Sequence, residues 1–260
     1  MKVSYFPGCT LRTKAKQLDR YARLSCEKLG VTLDEIENWQ CCGGAFTTST
    51  DEIATKLSSV RALVEAKEKG QPLVSVCSAC HNVIKQTNDA MANDVEFSDK
   101  ANRYMELDNP YHGETEVLHL LELLRDKVGF DAIKEKVVNP LTGKKIGAYY
   151  GCLLLRPSKV MQMDDPENPT IMEDFIKAIG ATPVVYGYRN ECCGGYVALE
   201  CPESAKAKSN SVIKSAKGMG AEMVVTACPL CKYNLVKNGA DIPVVYFTEL
   251  LAEALGVKED

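Results

Sequence analysis

Short apolar runs alternate with helix-periodic stretches, and the alternation occurs twice along the chain. Residues 1–6 carry Val3, Tyr5 and Phe6 and predict a first strand. Leu18, Tyr21, Ala22, Leu24 and Leu29 then fall on one side of a helix that Gly30 ends, followed by a strand over 31–36. Ile53, Leu57, Val60, Ala62, Leu63 and Val64 predict a helix closing before Gly70, and 73–76 the next strand. The second half repeats the scheme. A helix over 171–179 is stopped by Gly180, a strand covers 184–186, a helix spans about 203–217 and a strand 223–227. Strands separated by helices imply parallel pairing in an α/β fold. In such sheets the site lies beyond the carboxyl ends of the strands.

Twelve cysteines sharpen this picture, because ten of them fall into two matching sets. Cys9 is followed after 31 residues by Cys41-Cys42, and after 34 more by Cys77-x-x-Cys80. Cys152 is followed after 39 residues by Cys192-Cys193, and again after 34 by Cys228-x-x-Cys231. Each lone cysteine follows a strand and a glycine, and each CxxC follows an apolar strand. Each vicinal pair runs into two glycines, Gly43-Gly44 and Gly194-Gly195. The segment from His119 to Leu124 resembles that from Tyr246 to Leu251, so the repeat extends to a closing helix. Two copies of over 100 residues each are a duplication and not a solenoid. From Cys80 to Glu122 is 42 residues and from Cys231 to Glu249 only 18, so the first copy carries about 24 more, near 88–114. Such an insertion reads as a surface excursion, with a lid or docking segment as its alternative use. The turn chemistry of 139–143 divides the chain into domains 1–140 and 141–260, two similar α/β domains related by a pseudo-twofold axis.

Charge and hydropathy narrow the function. The chain has 260 residues and a net charge of −4, which does not suggest a nucleic-acid or anionic-membrane surface. No run approaches the ~18 apolar residues of a membrane span and no signal peptide opens the chain, so a cytoplasmic location is expected. In a reducing compartment, clustered cysteines bind metal more often than they form disulfides. Adjacent side chains in extended backbone point apart, so a vicinal pair serves one object only where the chain bends, as glycine permits. Zinc and a cubane iron–sulfur cluster each take four ligands, whereas each set offers five. All-sulfur donors select soft metals, leaving zinc or iron–sulfur. Pro229 after Cys228 suggests that the CxxC segments open helices, whose N-terminal N–H groups favour anionic sulfur.

The twice-repeated arrangement resembles the duplicated CCG domain found in the B subunit of heterodisulfide reductase. The segments from Gly151 to Pro157 and from Asp164 to Pro169 are similar to that B subunit as well. The resemblance spans essentially the whole chain. It implies a non-cubane four-iron four-sulfur cluster on Cys9, Cys41, Cys42, Cys77 and Cys80 and another on Cys152, Cys192, Cys193, Cys228 and Cys231. Zinc in the first domain is the family's alternative. It implies too that a disulfide bound between the clusters is cleaved to two thiols. Electrons would come from a ferredoxin-like iron–sulfur C subunit. That partner would be supplied by a flavin-containing A subunit, which holds the FAD, as in flavin-based bifurcating complexes. The vicinal Cys42 and Cys193 are the expected source of a bridging thiolate.

Other side chains have bland readings beside functional ones. His81 and Lys232 each follow the last cysteine of a set and are candidate proton donors, or merely turned outward. Arg12 and Arg156 follow the lone cysteines and would hold an anionic substrate tail or a surface carboxylate. Trp39 reads as core packing or cluster shielding, His112 and His119 as structural, and Cys26 and Cys201 as free thiols. Three functions follow: a catalytic disulfide-reducing subunit, an electron relay that binds no disulfide, and a zinc-stabilised structural protein.

Overall fold

The computed structural model describes residues 1–44 and 52–257. Among the described residues eight strands form two four-stranded sheets: β1 Lys2–Phe6, β2 Thr32–Glu35, β3 Leu73–Ser75 and β4 Val117–His119, then β5 Lys145–Tyr149, β6 Thr182–Val184, β7 Met223–Thr226 and β8 Val244–Tyr246. Every pairing is parallel, and the strand orders β2-β1-β3-β4 and β6-β5-β7-β8 are the same topology twice. The strands β1, β3, β4, β5, β7 and β8 are largely buried on both faces, as parallel sheets covered by helices require, while the edge strands β2 and β6 are partly exposed.

The element boundaries differ from the periodicity in instructive places. The expected strand at 184–186 lies two residues earlier, because only Lys145–Gly147 of β5 faces it. Tyr186 has left the ladder, and its ring lies over Gly147, where an added Cβ would meet it at 3.0 Å. Pro183 is tolerated because β6 is an edge strand. The short strands β4 and β8 lay hidden at the start of the expected closing helices. His119 and Tyr246 end them, and Glu122 and Glu249 cap the following helices by accepting from their N–H groups at 2.7 and 2.6 Å. The insertion is helical for much of its length. The CxxC helix runs on as Ser78–Asn93, and Asp94 caps a further helix, Val95–Met105, by accepting from Phe97 N at 3.0 Å.

One buried core runs through both domains, and the second domain holds a smaller one of its own. Helix Phe247–Ala254 of the second packs on Lys16–Lys28 of the first, and Phe130–Lys136 of the first packs on Ile171–Ala178 of the second. The last helix of each domain thus packs on the other domain. Phe247 is fully buried between His119, Phe175 and Tyr246, with ring centroids at 5.6, 6.2 and 5.2 Å. Such edge and tilted contacts add to the burial itself. Backbone bonds cross as well. Ser78 N and Oγ both donate to Ala227 O, at 3.1 and 2.8 Å, and Tyr246 OH spans Val76 O and Ala227 O at 2.6 and 2.9 Å. These bonds fix the ends of β3 and β7 against each other.

Candidate functional site

Cys77 and Cys228 are the N-caps of the helices Ser78–Asn93 and Pro229–Lys237, directly beyond β3 and β7. Cys77 and Cys228 face each other across the domain interface, near enough that each thiol shifts the other's ionisation. From that contact the sulfurs continue in both directions. Cys77 meets Cys80, Cys80 meets Cys42 at 3.4 Å, Cys42 meets Cys41, and Cys41 meets Cys9 at 3.8 Å. On the other side Cys228 meets Cys231, Cys231 meets Cys193 at 3.6 Å, Cys193 meets Cys192, and Cys192 meets Cys152. The ten cysteines of the two sets follow one another in the same order from either end, with the Cys9–Cys41, Cys42–Cys80 and Cys193–Cys231 pairs in direct sulfur contact. Cys26 lies outside these sets, buried in the core with its thiol pushed up to about 12 by desolvation, and Cys201 is exposed beside Ser204 Oγ at 2.9 Å.

The glycines let the backbone come this close. Gly194 has φ +84°, and a Cβ there would stand 2.7 Å from Ala205 Cα. Gly8, φ +76°, passes so near Cys80 that an added Cβ would lie 2.8 Å from its sulfur. Charge is uneven along the run. Cys42 is drawn down to about 3 by the thiols of Cys41 and Cys80, and Cys192 to about 2 by those of Cys152 and Cys193. Cys228 is lowered by Cys231 and Cys77, while Cys77 is raised chiefly by Cys228, Cys80 by Cys42 and Cys231 by Cys193. Cys193 is pushed up to about 11, chiefly by Cys192. A small cavity is lined by all five cysteines of the second set, with Ser78 of the first domain, Tyr196 and Leu230 closing it. Among the described residues no three His, Cys, Asp or Glu side chains close round a single ion. The donors are sulfur throughout, and those of the second set surround a small cavity, a chemistry that fits a sulfur-ligated group.

The other expected site residues are elsewhere. His81 is fully buried outside that cavity, with Nε2 3.3 Å from Glu122 Oε2 and its ring 5.6 Å from His119, and burial holds its pKa well below the usual range. Lys232 pairs with Glu249. Arg156 pairs with Glu167 at 2.7 Å, and Arg12 with Glu35 at 3.0 Å. Trp39 packs edge-on against Phe6 at 5.8 Å and donates to Glu35 at 3.0 Å. His119 is fully buried, with Nε2 3.0 Å from Val76 O, while His112 lies 3.3 Å from Ser98 Oγ in the insertion.

Sequence reasoning passed over several residues that shape the site. Tyr196 OH donates to Gly44 O at 2.7 Å, tying one CCGG turn to the other, and burial and the sulfurs of both domains raise its pKa. Its position directly after Gly195 was the available signal. Buried Arg189 pairs with Glu173, which also accepts from Tyr150 OH, while Arg189 O accepts from Tyr150 N at 2.8 Å and Gly151 N at 3.2 Å. That network holds the turn presenting Cys152.

A model of the CCG cysteine-rich domain matches residues 3–85 and again 146–236. The chain is 32% identical to the 8-methylmenaquinol:fumarate reductase membrane anchor subunit of Wolinella succinogenes, over 98% of this chain and 93% of that one. It is 27% identical to the B subunit of the ferredoxin:CoB-CoM heterodisulfide reductase of Methanosarcina mazei, over 100% and 91%. It is 26% identical to a protein of Archaeoglobus profundus described as like the heterodisulfide reductase B subunit, over 98% and 91%. A hypothetical protein from Helicobacter pylori shares the fold, with a TM-score of 0.75 at 13% identity over 99% of this chain and 49% of that one. Among the described residues no helix is long and apolar enough to cross a membrane. The chain belongs to the CCG cysteine-rich domain family, carrying one copy of the domain in each half, with heterodisulfide reductase B subunits among its relatives.

Proposed function

We propose that this chain is the disulfide-reducing subunit of a heterodisulfide reductase-type complex. The observation that supports the reading is the approach of the two five-cysteine sets at the domain interface, where Cys77 and Cys228 face each other. Cys9, Cys41, Cys42, Cys77 and Cys80 would hold one four-iron four-sulfur cluster and Cys152, Cys192, Cys193, Cys228 and Cys231 the other. When bound, these groups supply single electrons next to iron that accepts sulfur. The reaction consumes two electrons and two protons and turns one disulfide into two thiols.

The chain's own part is positioning. The helix N-termini at Cys77 and Cys228 aim N–H groups at anionic sulfur. Tyr246 locks the two strand ends together, and Tyr196 joins the CCGG turns, so both ligand sets keep one separation. Cys42 and Cys193, the buried members of the vicinal pairs, are assigned the bridging role. In this reading electrons arrive from a ferredoxin-like partner fed by a flavin-containing one, and the chain works in the cytoplasm. Five thiols per set favour clusters over a structural zinc, including in the first domain.

Anaerobically purified or reconstituted chain is expected to contain iron and acid-labile sulfide in near-equal amounts and to release thiol from a small disulfide when reduced. Zinc without sulfide would overturn the proposal. Cys26→Ala and Cys201→Ser are expected to keep wild-type iron and thiol release, with Cys26→Ala losing about 1 kcal/mol of stability from its packing. Loss of iron in either variant would show a ligand set drawn wrongly.

A further inference from the structure

Pseudo-twofold symmetry implies two equivalent clefts beside the sulfur run. Each lies between the CxxC helix of one domain and the lone-cysteine segment of the other. One is sealed. Asn82 Nδ2 donates to Leu153 O and Arg156 O, both at 2.7 Å, and Lys85 Nζ donates to Met161 O at 2.5 Å, tying helix Ser78–Asn93 to the segment after Cys152. Counted from the last cysteine of each set, Asn82 and Lys85 correspond to Tyr233 and Val236. These cannot make the same anchors, and they stand 61% and 54% exposed. The segment facing them is also shorter, with 31 residues between Cys9 and Cys41 against 39 between Cys152 and Cys192.

The second cleft is therefore open, as a groove of about 570 Å³. Leu18, Leu230, Tyr233 and Val236 give it an apolar wall, and Leu230 also lines the cavity of the second cysteine set. Its rim carries Lys14, Lys16 and Lys237. The groove's carboxylate, Glu249, is already held by Lys232 and by Tyr246 N. Among the described residues the other three lysines have no carboxylate partner, and Lys237 lies 5.7 Å over the Tyr233 ring.

We infer that this groove binds the small-molecule reactant: a sulfur compound with an apolar arm and an anionic end, its sulfur reaching past Leu230 to the second cysteine set. The apolar arm lies along Tyr233 and Val236, and the anionic end meets the unpaired lysines. The volume suits such a ligand. Naming the reactive end as sulfur rests on the disulfide-reductase reading.

Binding is tested on the full chain by calorimetry with a thioether that cannot be reduced, benzylthiohexanoate, and its neutral primary amide. The carboxylate should bind roughly fivefold or more tightly than the amide, with the preference falling as salt rises. Lys14→Gln with Lys237→Gln should remove the preference, and Leu230→Trp should weaken both probes. Thiol release separates the two claims. Normal release by wild type with KM unchanged in Leu230→Trp and in the lysine variant would sink the groove and leave the function standing. Selective binding by a wild type that releases no thiol would sink the function and leave the groove. Equal binding of acid and amide overturns the inference. So does binding of neither probe, with the lysine variants instead loosening an acidic protein partner.

Discussion

Cys193→Ser is expected to keep part of the iron but lose disulfide cleavage by at least about a hundredfold, the scale on which removal of a reaction-specific interaction acts. Cys193 is 4% exposed, with Cys192 before it and the Cys231 sulfur 3.6 Å away. Its backbone carbonyl accepts from Ser209 Oγ at 3.0 Å and Asn234 Nδ2 at 2.6 Å, so the main chain stays in place when the sulfur is exchanged for oxygen. Serine is a poor ligand for soft metal, and four cysteines of the set remain. Those four suffice for an ordinary cubane, whose irons are all capped. Iron and sulfide assays beside thiol release check the result. Full cleavage by an intact cubane in this variant would favour the relay reading.

Phe247→Ala should destabilise the chain by about 3–5 kcal/mol, the range for truncating a buried phenylalanine. Phe247 has no exposure and sits where rings from both domains meet, so the cavity cannot be filled from solvent or by an exposed chain. Because the last helix of each domain packs on the other domain, the loss should be felt by both halves at once. Denaturant titration of the metal-free chain should show one transition moved to lower midpoint with fluorescence and circular dichroism coincident. Two separated transitions, with only the second domain affected, would contradict a shared core.

Much of this architecture was readable from spacing. The equal interval between the vicinal pair and the CxxC in each half exposed the duplication. The apolar runs before Cys77 and Cys228 placed those residues at strand ends, where they are found. Asp94, a good helix cap before Val95, was a local signal in a stretch that reads as a loop on its Asn and Asp content. The joining of the sets through Cys77 and Cys228 is a tertiary fact, set by Ser78 and Tyr246 meeting carbonyls far away in sequence. Nothing local to Tyr246 announces that its hydroxyl ends between Val76 and Ala227. His81 shows the same limit in reverse. Its place after Cys80 suggested a proton donor, but the helix turns it inward to Glu122 and His119. The opposite characters of the two clefts depend on pairs such as Asn82 and Tyr233, which become comparable only once the repeat is aligned.

Cleavage of one disulfide between two cysteine sets on this chain is tested most directly by a single-turnover count. The full chain is loaded with iron and sulfide and reduced anaerobically, and excess reductant is removed. Mixed with a small dialkyl disulfide, it should release two thiols for every two electrons lost from its iron–sulfur absorbance, and the metal-free chain should release none by that route. Iron–sulfur centres that take up electrons yet yield no thiol on mixing would contradict it.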